Sequence, residues 1–211
     1  KDGDNNGLDV LGRDCSTSDL APHDGFQEES PACVSTQMGE VAAEDELPSL
    51  LITAAPETVE VDESFQLEVS TRNLVRDRFL GAAAGGYYLE SSFLNDAGLQ
   101  RGHFHTACRI LSSTSEAPDS GREPEFFLAT QDNEGGAEPD TVTIEVPGID
   151  TAGELQCTGA CCSTSASGAA AAASGSPRCS SICAPATTAP GVTYHSRAWK
   201  RRGARARPQH T

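Results

Sequence analysis

The chain has 211 residues, a formal net charge of −16 and eight cysteines. That length admits one domain with tails or two small domains, and no apolar run is long enough to cross a bilayer as a helix, so a transmembrane segment is excluded. Charge is divided unevenly: all 31 acidic residues lie at or before Glu154 with eight basic ones, whereas Thr158 to Thr211 carries seven Lys or Arg and no acid.

Residues 1–46 read as an acidic, irregular and largely disordered arm. Asp2 to Gly7 fits the first half of an EF-hand loop, but Arg13 stands where the bidentate Glu is needed, so a solvated acidic loop is expected there. From Ser49 the pattern changes to β. SLLITAAP reads as one strand ended by Pro56, and in the segment that follows Phe65, Leu67 and Val69 alternate with Gln66, Glu68 and Ser70. Period-two alternation marks a half-buried strand. Leu74 to Phe79 reads as a short helical turn or an irregular crossing, GAAAGG at Gly81–Gly86 as a loop, and Tyr87 to Leu94 as a strand.

Arg101 to Leu111 is a strand whose two faces differ. Phe104, Cys108 and Ile110 share one, with Thr106 between them; Arg101, His103, His105 and Arg109 share the other, which we expect to face solvent. Phe126–Thr130, Thr141–Val146 and Glu154–Cys157 are further short strands separated by Gly- and Asp-rich turns. About seven such strands predict an all-β domain, an immunoglobulin-like antiparallel β-sandwich over residues 47–157. Residues 158–211 form a basic tail of low complexity, expected to be disordered, and its acid-free alphabet is what a shifted frame or an unspliced intron in GC-rich DNA would give. Its Lys200, Arg201, Arg202, Arg205 and Arg207 could attract phosphate, but the acidic body repels it and no aromatics interleave that cluster, so no nucleic-acid partner is expected.

Two groups of residues carry candidate chemistry. His103 and His105 lie about 6–7 Å apart on one strand face, close enough to share a divalent metal, with a third ligand from His23, Glu90 or Asp96; the alternative is two solvated surface histidines. Arg72, Arg76 and Arg78 beside Tyr87 and Tyr88 could bind anions or carbohydrate, since aromatics stack on sugars and guanidinium forks onto carboxylates; alternatively the arginines pair with carboxylates of their own domain. Cys108 with Cys157 would tie two core strands, and Cys15 with Cys33 would pin the arm. Both would indicate an oxidising, extracellular setting. No nucleophile elbow, phosphate loop or zinc-protease motif occurs, so no catalytic residue is assigned.

The layout Val-x-Val, turn, Phe-x-Leu-x-Val resembles the opening strands of bacterial and fungal immunoglobulin-like domains. Leu51 to Leu111, with FFLATQDNEGG and PDTVTIEVPG after it, is similar to a group of secreted fungal and actinobacterial proteins. The resemblance implies secretion and a β-rich domain and transfers no catalytic residue. The expectation is a secreted binding or structural module, with carbohydrate or another cell-surface component as ligand; the alternative is an extracellular metal-binding protein using the His-x-His pair.

Overall fold

A computed structural model describes residues 14–23, 31–37, 39–84 and 89–162, together with the backbone of Val192–His195. The half-matched calcium loop at Asp2–Gly7, Tyr87 and Tyr88, and most of the basic tail lie outside the described residues.

The arm begins with a 3-10 turn at Cys15–Thr17, capped by the Asp14 carboxylate, which accepts from the Ser16 N–H at 2.8 Å. Strands β1 (Ala21–Pro22) and β2 (Ala32–Cys33) then pair in parallel, and a Cys15–Cys33 disulfide ties this piece together. The body follows as β3 (Ser49–Ala54), β4 (Thr58–Glu60), β5 (Phe65–Arg72), β6 (Leu74–Val75), β7 (Gln100–Arg101), β8 (His103–Leu111), β9 (Phe126–Thr130), β10 (Gly135–Gly136), β11 (Val142–Val146), β12 (Glu154–Cys162) and β13 (Val192–His195). The segment Leu89–Leu94 forms only isolated bridges, Ser92 to Gly39 and Leu94 to Gln100, so the strand expected from Tyr87 to Leu94 is not formed there. Its apolar residues point outward, Leu89 and Phe93 being 69% and 56% exposed, and a strand needs one face to bury.

The molecule is mostly β, with several sheets and none closed. One sheet runs β11-β5-β3, all antiparallel; a second runs β4-β13-β12-β8-β9, antiparallel except where β13 meets β4. The two share one core. Leu50, Ile52, Phe65, Leu67, Val69, Ile144 and Val146 come from the first, and Phe104, Cys108, Ile110, Leu155 and Cys157 from the second. Each aliphatic or aromatic side chain buried this way contributes about 1.5–3 kcal/mol. The alternation read from the sequence is the reason these residues, and not Gln66 or Glu68, meet in the middle. Cys108 and Cys157 sit opposite one another on β8 and β12, and they are disulfide-bonded with 4.1 Å between Cα atoms.

A third small sheet, β10-β6-β7, lies at the edge of the body and is held by a buried arginine. Arg76 is fully buried; its guanidinium pairs with Asp132 at 2.9 Å and with Asp140, and donates to Thr71 Oγ1 at 2.7 Å. Its backbone is bonded too, donating to Glu134 O and accepting from Asn133 N–H. The turn Gln131–Asp140 is thereby clamped to β5 and β6. Gly135 has φ +87° and no room for a Cβ, which would meet the Leu74 carbonyl oxygen.

Strand β8 departs from expectation on its second face. Phe104, Cys108 and Ile110 are in the core as predicted, but His103 and His105 are buried as well, at 0% and 1% exposure. The chain after β6 lies along this face: Arg78 N–H donates to Gly102 O, and the Phe79 ring stands edge-on to His103 at 4.8 Å. The second cover is Phe127 of β9, edge-on to His105 at 4.8 Å. Period two distinguishes the two faces of a strand but does not say whether the polar one is covered.

Candidate metal centre

The His-x-His spacing on β8 puts both imidazoles on one side of the sheet, and burial then fixes their chemistry. Their Nε2 atoms are 2.9 Å apart. His103 Nδ1 lies 3.1 Å from the carbonyl oxygen of Arg78. A carbonyl only accepts, so Nδ1 carries the hydrogen and donates. His103 Nε2 is then bare and accepts from His105 Nε2–H. That leaves His105 Nδ1 bare as well, facing Cys162 Sγ at 3.7 Å. Both rings are neutral in this arrangement. Burial drives His103 down to about 4, opposed by its bond to the Arg78 carbonyl, and drives His105 down to about 3, helped by the neighbouring His103.

Cys162 joins the pair because β12 runs antiparallel to β8 as far as its last residue. Cys157 opposes Cys108, Ala160 opposes His105, and Cys162 opposes His103. Directly opposed residues share a face. His103, His105 and Cys162 each offer one donor atom within 4.8 Å of the others, and all three are buried. The sulfur of Cys162 is, however, disulfide-bonded. None of the other described cysteines is its partner: Cys15 pairs with Cys33, Cys108 with Cys157, and Cys161 is a thiol. Cys161 points to the core side, where burial pushes it up to about 12 and keeps it protonated.

The donor set can be tested against metal chemistry. Neutral imidazole is the ligating form of histidine. A histidine that ligates a metal typically gives its other ring N–H to a carbonyl or carboxylate, as His103 gives Nδ1–H to Arg78. An ion about 2.05 Å from two nitrogens 2.9 Å apart would subtend about 90°, so the rings must part by about 0.4 Å to reach a tetrahedral angle. A small rotation of either ring supplies that.

The ligands expected from elsewhere are not brought in. Glu90 pairs with Arg78, whose hydrogen bond holds the Glu90 carboxyl below its ordinary range. His23 lies in the disulfide-tied arm piece and Asp96 in the turn before β7; neither belongs to the cluster. Cys162 does belong, and the sequence held a signal for it. Five residues back along β8 from Cys108 is His103, and five forward along β12 from Cys157 is Cys162, so a cross-strand Cys108–Cys157 pair implies the contact.

The arginine face does not assemble as an exposed surface. Arg76 is fully buried on Asp132 and Asp140, and Arg72 is exposed at the end of β5. Arg78 pairs with Glu90 and Arg101 with Asp77 at 3.0 Å. These last two arginines, Glu90 and Phe93 line an open cleft of about 220 Å³. Tyr87 and Tyr88 lie outside the described residues. The chain matches no protein-family model, no curated protein and no solved structure.

Proposed function

We propose that this chain is an extracellular module, an immunoglobulin-like β-sandwich, whose specific activity is to bind a transition-metal ion through His103 and His105. The observation that carries the reading is the pair itself: two neutral imidazoles with Nε2 atoms 2.9 Å apart, both buried, one of them oriented by a backbone carbonyl. Burying two histidines, whose ring nitrogens must be satisfied by hydrogen bonds, has no packing advantage over burying two Phe, which lack polar atoms to satisfy. A metal-binding role supplies a reason for the imidazoles to be there. The disulfides Cys15–Cys33 and Cys108–Cys157 accord with secretion.

Equilibrium dialysis against Zn2+, Cu2+ and, under anaerobic ascorbate, Cu+ tests the reading. The wild-type chain should retain about one ion, and His103→Ala/His105→Ala should retain none while keeping its far-ultraviolet circular dichroism. Should His105→Gln, which fills similar space, bind as much metal as wild type, the reading fails.

A second reading rests on the cleft lined by Arg78, Glu90, Phe93 and Arg101, where an exposed ring face beside charged groups suits a carbohydrate. Glycan-array binding that Phe93→Ala abolishes would support it; equal binding by wild type and Phe93→Ala would sink it.

A further inference from the structure

Three features outside the stability core invite a role: the cleft beside Phe93, the arginine clamp at Arg76, and Cys162 standing against the histidine pair. The cleft's two guanidinium groups are already engaged with Glu90 and Asp77, and the clamp's with Asp132 and Asp140. The third goes further.

We infer that Cys162 is the third donor of the metal site, and that its disulfide sets how tightly the site binds: while the disulfide is closed the ion has only the two imidazoles, and once it is reduced His103, His105 and Cys162 together hold one cuprous ion. This deepens the metal-binding reading and rests on it. Position comes first. Cys162 opposes His103 across the strand pair, its sulfur is 3.7 Å from His105 Nδ1, and the three donor atoms lie within 4.8 Å of one another.

The donor set and the surroundings select the ion. Two imidazoles and one sulfur make three donors, and no carboxylate joins the cluster among the described residues. A structural zinc site needs four protein ligands, whereas a soft thiolate favours Cu(I), which is satisfied by three. Charge gives the same answer. The rings of Phe79 and Phe127 stand against the two imidazoles, and all three donor residues are buried. A cuprous ion with one thiolate is neutral overall. A zinc ion with one thiolate leaves a net positive charge out of water, which costs several kcal/mol.

A low-molecular-weight dithiol gives two electrons and two protons to the disulfide of Cys162, closes its own disulfide, and leaves Cys162 as a thiol. The cuprous ion then displaces the thiol proton to form the Cu–S bond. The hydrogen on His105 Nε2 shifts to Nδ1, so no further proton is released. In the oxidised chain that sulfur carries no lone charge, and the ion has only the two imidazoles.

The test uses the full chain and Cu(I) supplied as its bicinchoninate complex under anaerobic ascorbate, which leaves disulfides intact. Cys179→Ser/Cys183→Ser removes the two cysteines outside the described residues and leaves Cys15–Cys33 and Cys108–Cys157 in place. We expect it to take one Cu(I) per chain on the order of 100-fold tighter than oxidised wild type, with a thiolate-to-copper absorption in the near ultraviolet. Cys162→Ser should stay at the oxidised wild-type level. If all three chains bind Cu(I) equally, the contribution of Cys162 is overturned and the two-histidine reading stands; if none binds, both fall. Should the double serine variant fail to fold, wild type is reduced briefly with a dithiol and labelled with iodoacetamide. Copper that shields Cys162 from labelling supports the inference, and equal labelling of Cys162 with and without copper overturns it.

Discussion

At the scale of single residues, the histidine pair links the pH of the medium to the stability of the metal-free fold. An unfolded histidine takes its proton near pH 6.5. Folded His103 does so only at about 4 and His105 at about 3, because burial disfavours the charged rings. Between those limits the unfolded chain binds more protons than the folded one, so stability rises with pH and is lost on acidification below about 6.5. The loss amounts to a few kcal/mol, on the order of 3 for the His103 shift taken alone. Urea unfolding of metal-free protein at pH 7 and pH 5 should show the midpoint falling, before most carboxylates titrate. His105→Phe, a ring that suits the contact with Phe127, should flatten that dependence by about half; an unchanged slope would mean that His105 is protonated, or solvated, in the native state.

At the scale of elements, the two packed sheets and the arginine clamp fail in different ways when disturbed. Gly159 of β12 faces the core where β3 crosses it, and a Cβ there would stand 2.5 Å from Leu50 Cδ2. Gly159→Ala therefore overpacks the space between the sheets and should cost about 1–3 kcal/mol by chemical denaturation, partly recovered by Leu50→Val. The clamp acts locally. Asp140 accepts from Arg76, from Thr71 Oγ1 and from Thr71 N–H, and Asp132 holds Arg76 Nε. Asp140→Ala leaves one carboxylate for a fully buried guanidinium, so the cost should be about 1.5–3 kcal/mol. Amide exchange should speed up first in Leu74–Val75 and Gly135–Gly136, while β5 in the core stays protected. Uniform acceleration across all strands would show that the clamp belongs to the global folding unit.

At the scale of the whole molecule, what the sequence made legible follows from which signals are local. Alternation in Phe65–Val69 and Val142–Val146 is local, and it identified strands and core alike. The Cys108–Cys157 pair is readable because both cysteines hold inward positions of strands, and Cys15–Cys33 because both lie in the acidic arm. The burial of His103, His105 and Arg76 is not, because each is covered by a segment remote in sequence and polar residues carry no prior for being covered. Cys162 is not legible for a further reason: the apolar alternation of Leu155 and Cys157 gives way to small residues after Cys157, whereas β12 runs on to Cys162. These features meet in the Cys108–Cys157 bond, which sets the register that aligns His103 with Cys162. It closes a separation of 49 residues, which in the chain-entropy description restricts the unfolded state by about 4 kcal/mol. The Cys15–Cys33 bond spans only 18 residues and ties the small pair β1-β2. Cys108→Ala/Cys157→Ala should therefore lower global stability by about 2–4 kcal/mol and weaken metal retention with it, since the donors lie on the two strands it joins. Cys15→Ala/Cys33→Ala should leave the core transition and metal retention in place and make the arm a protease site. Calorimetry, limited proteolysis and dialysis on the two double variants separate these outcomes. A larger loss of core stability from the arm variant than from the core variant would refute the assignment of β8 and β12 as the frame of the proposed metal centre.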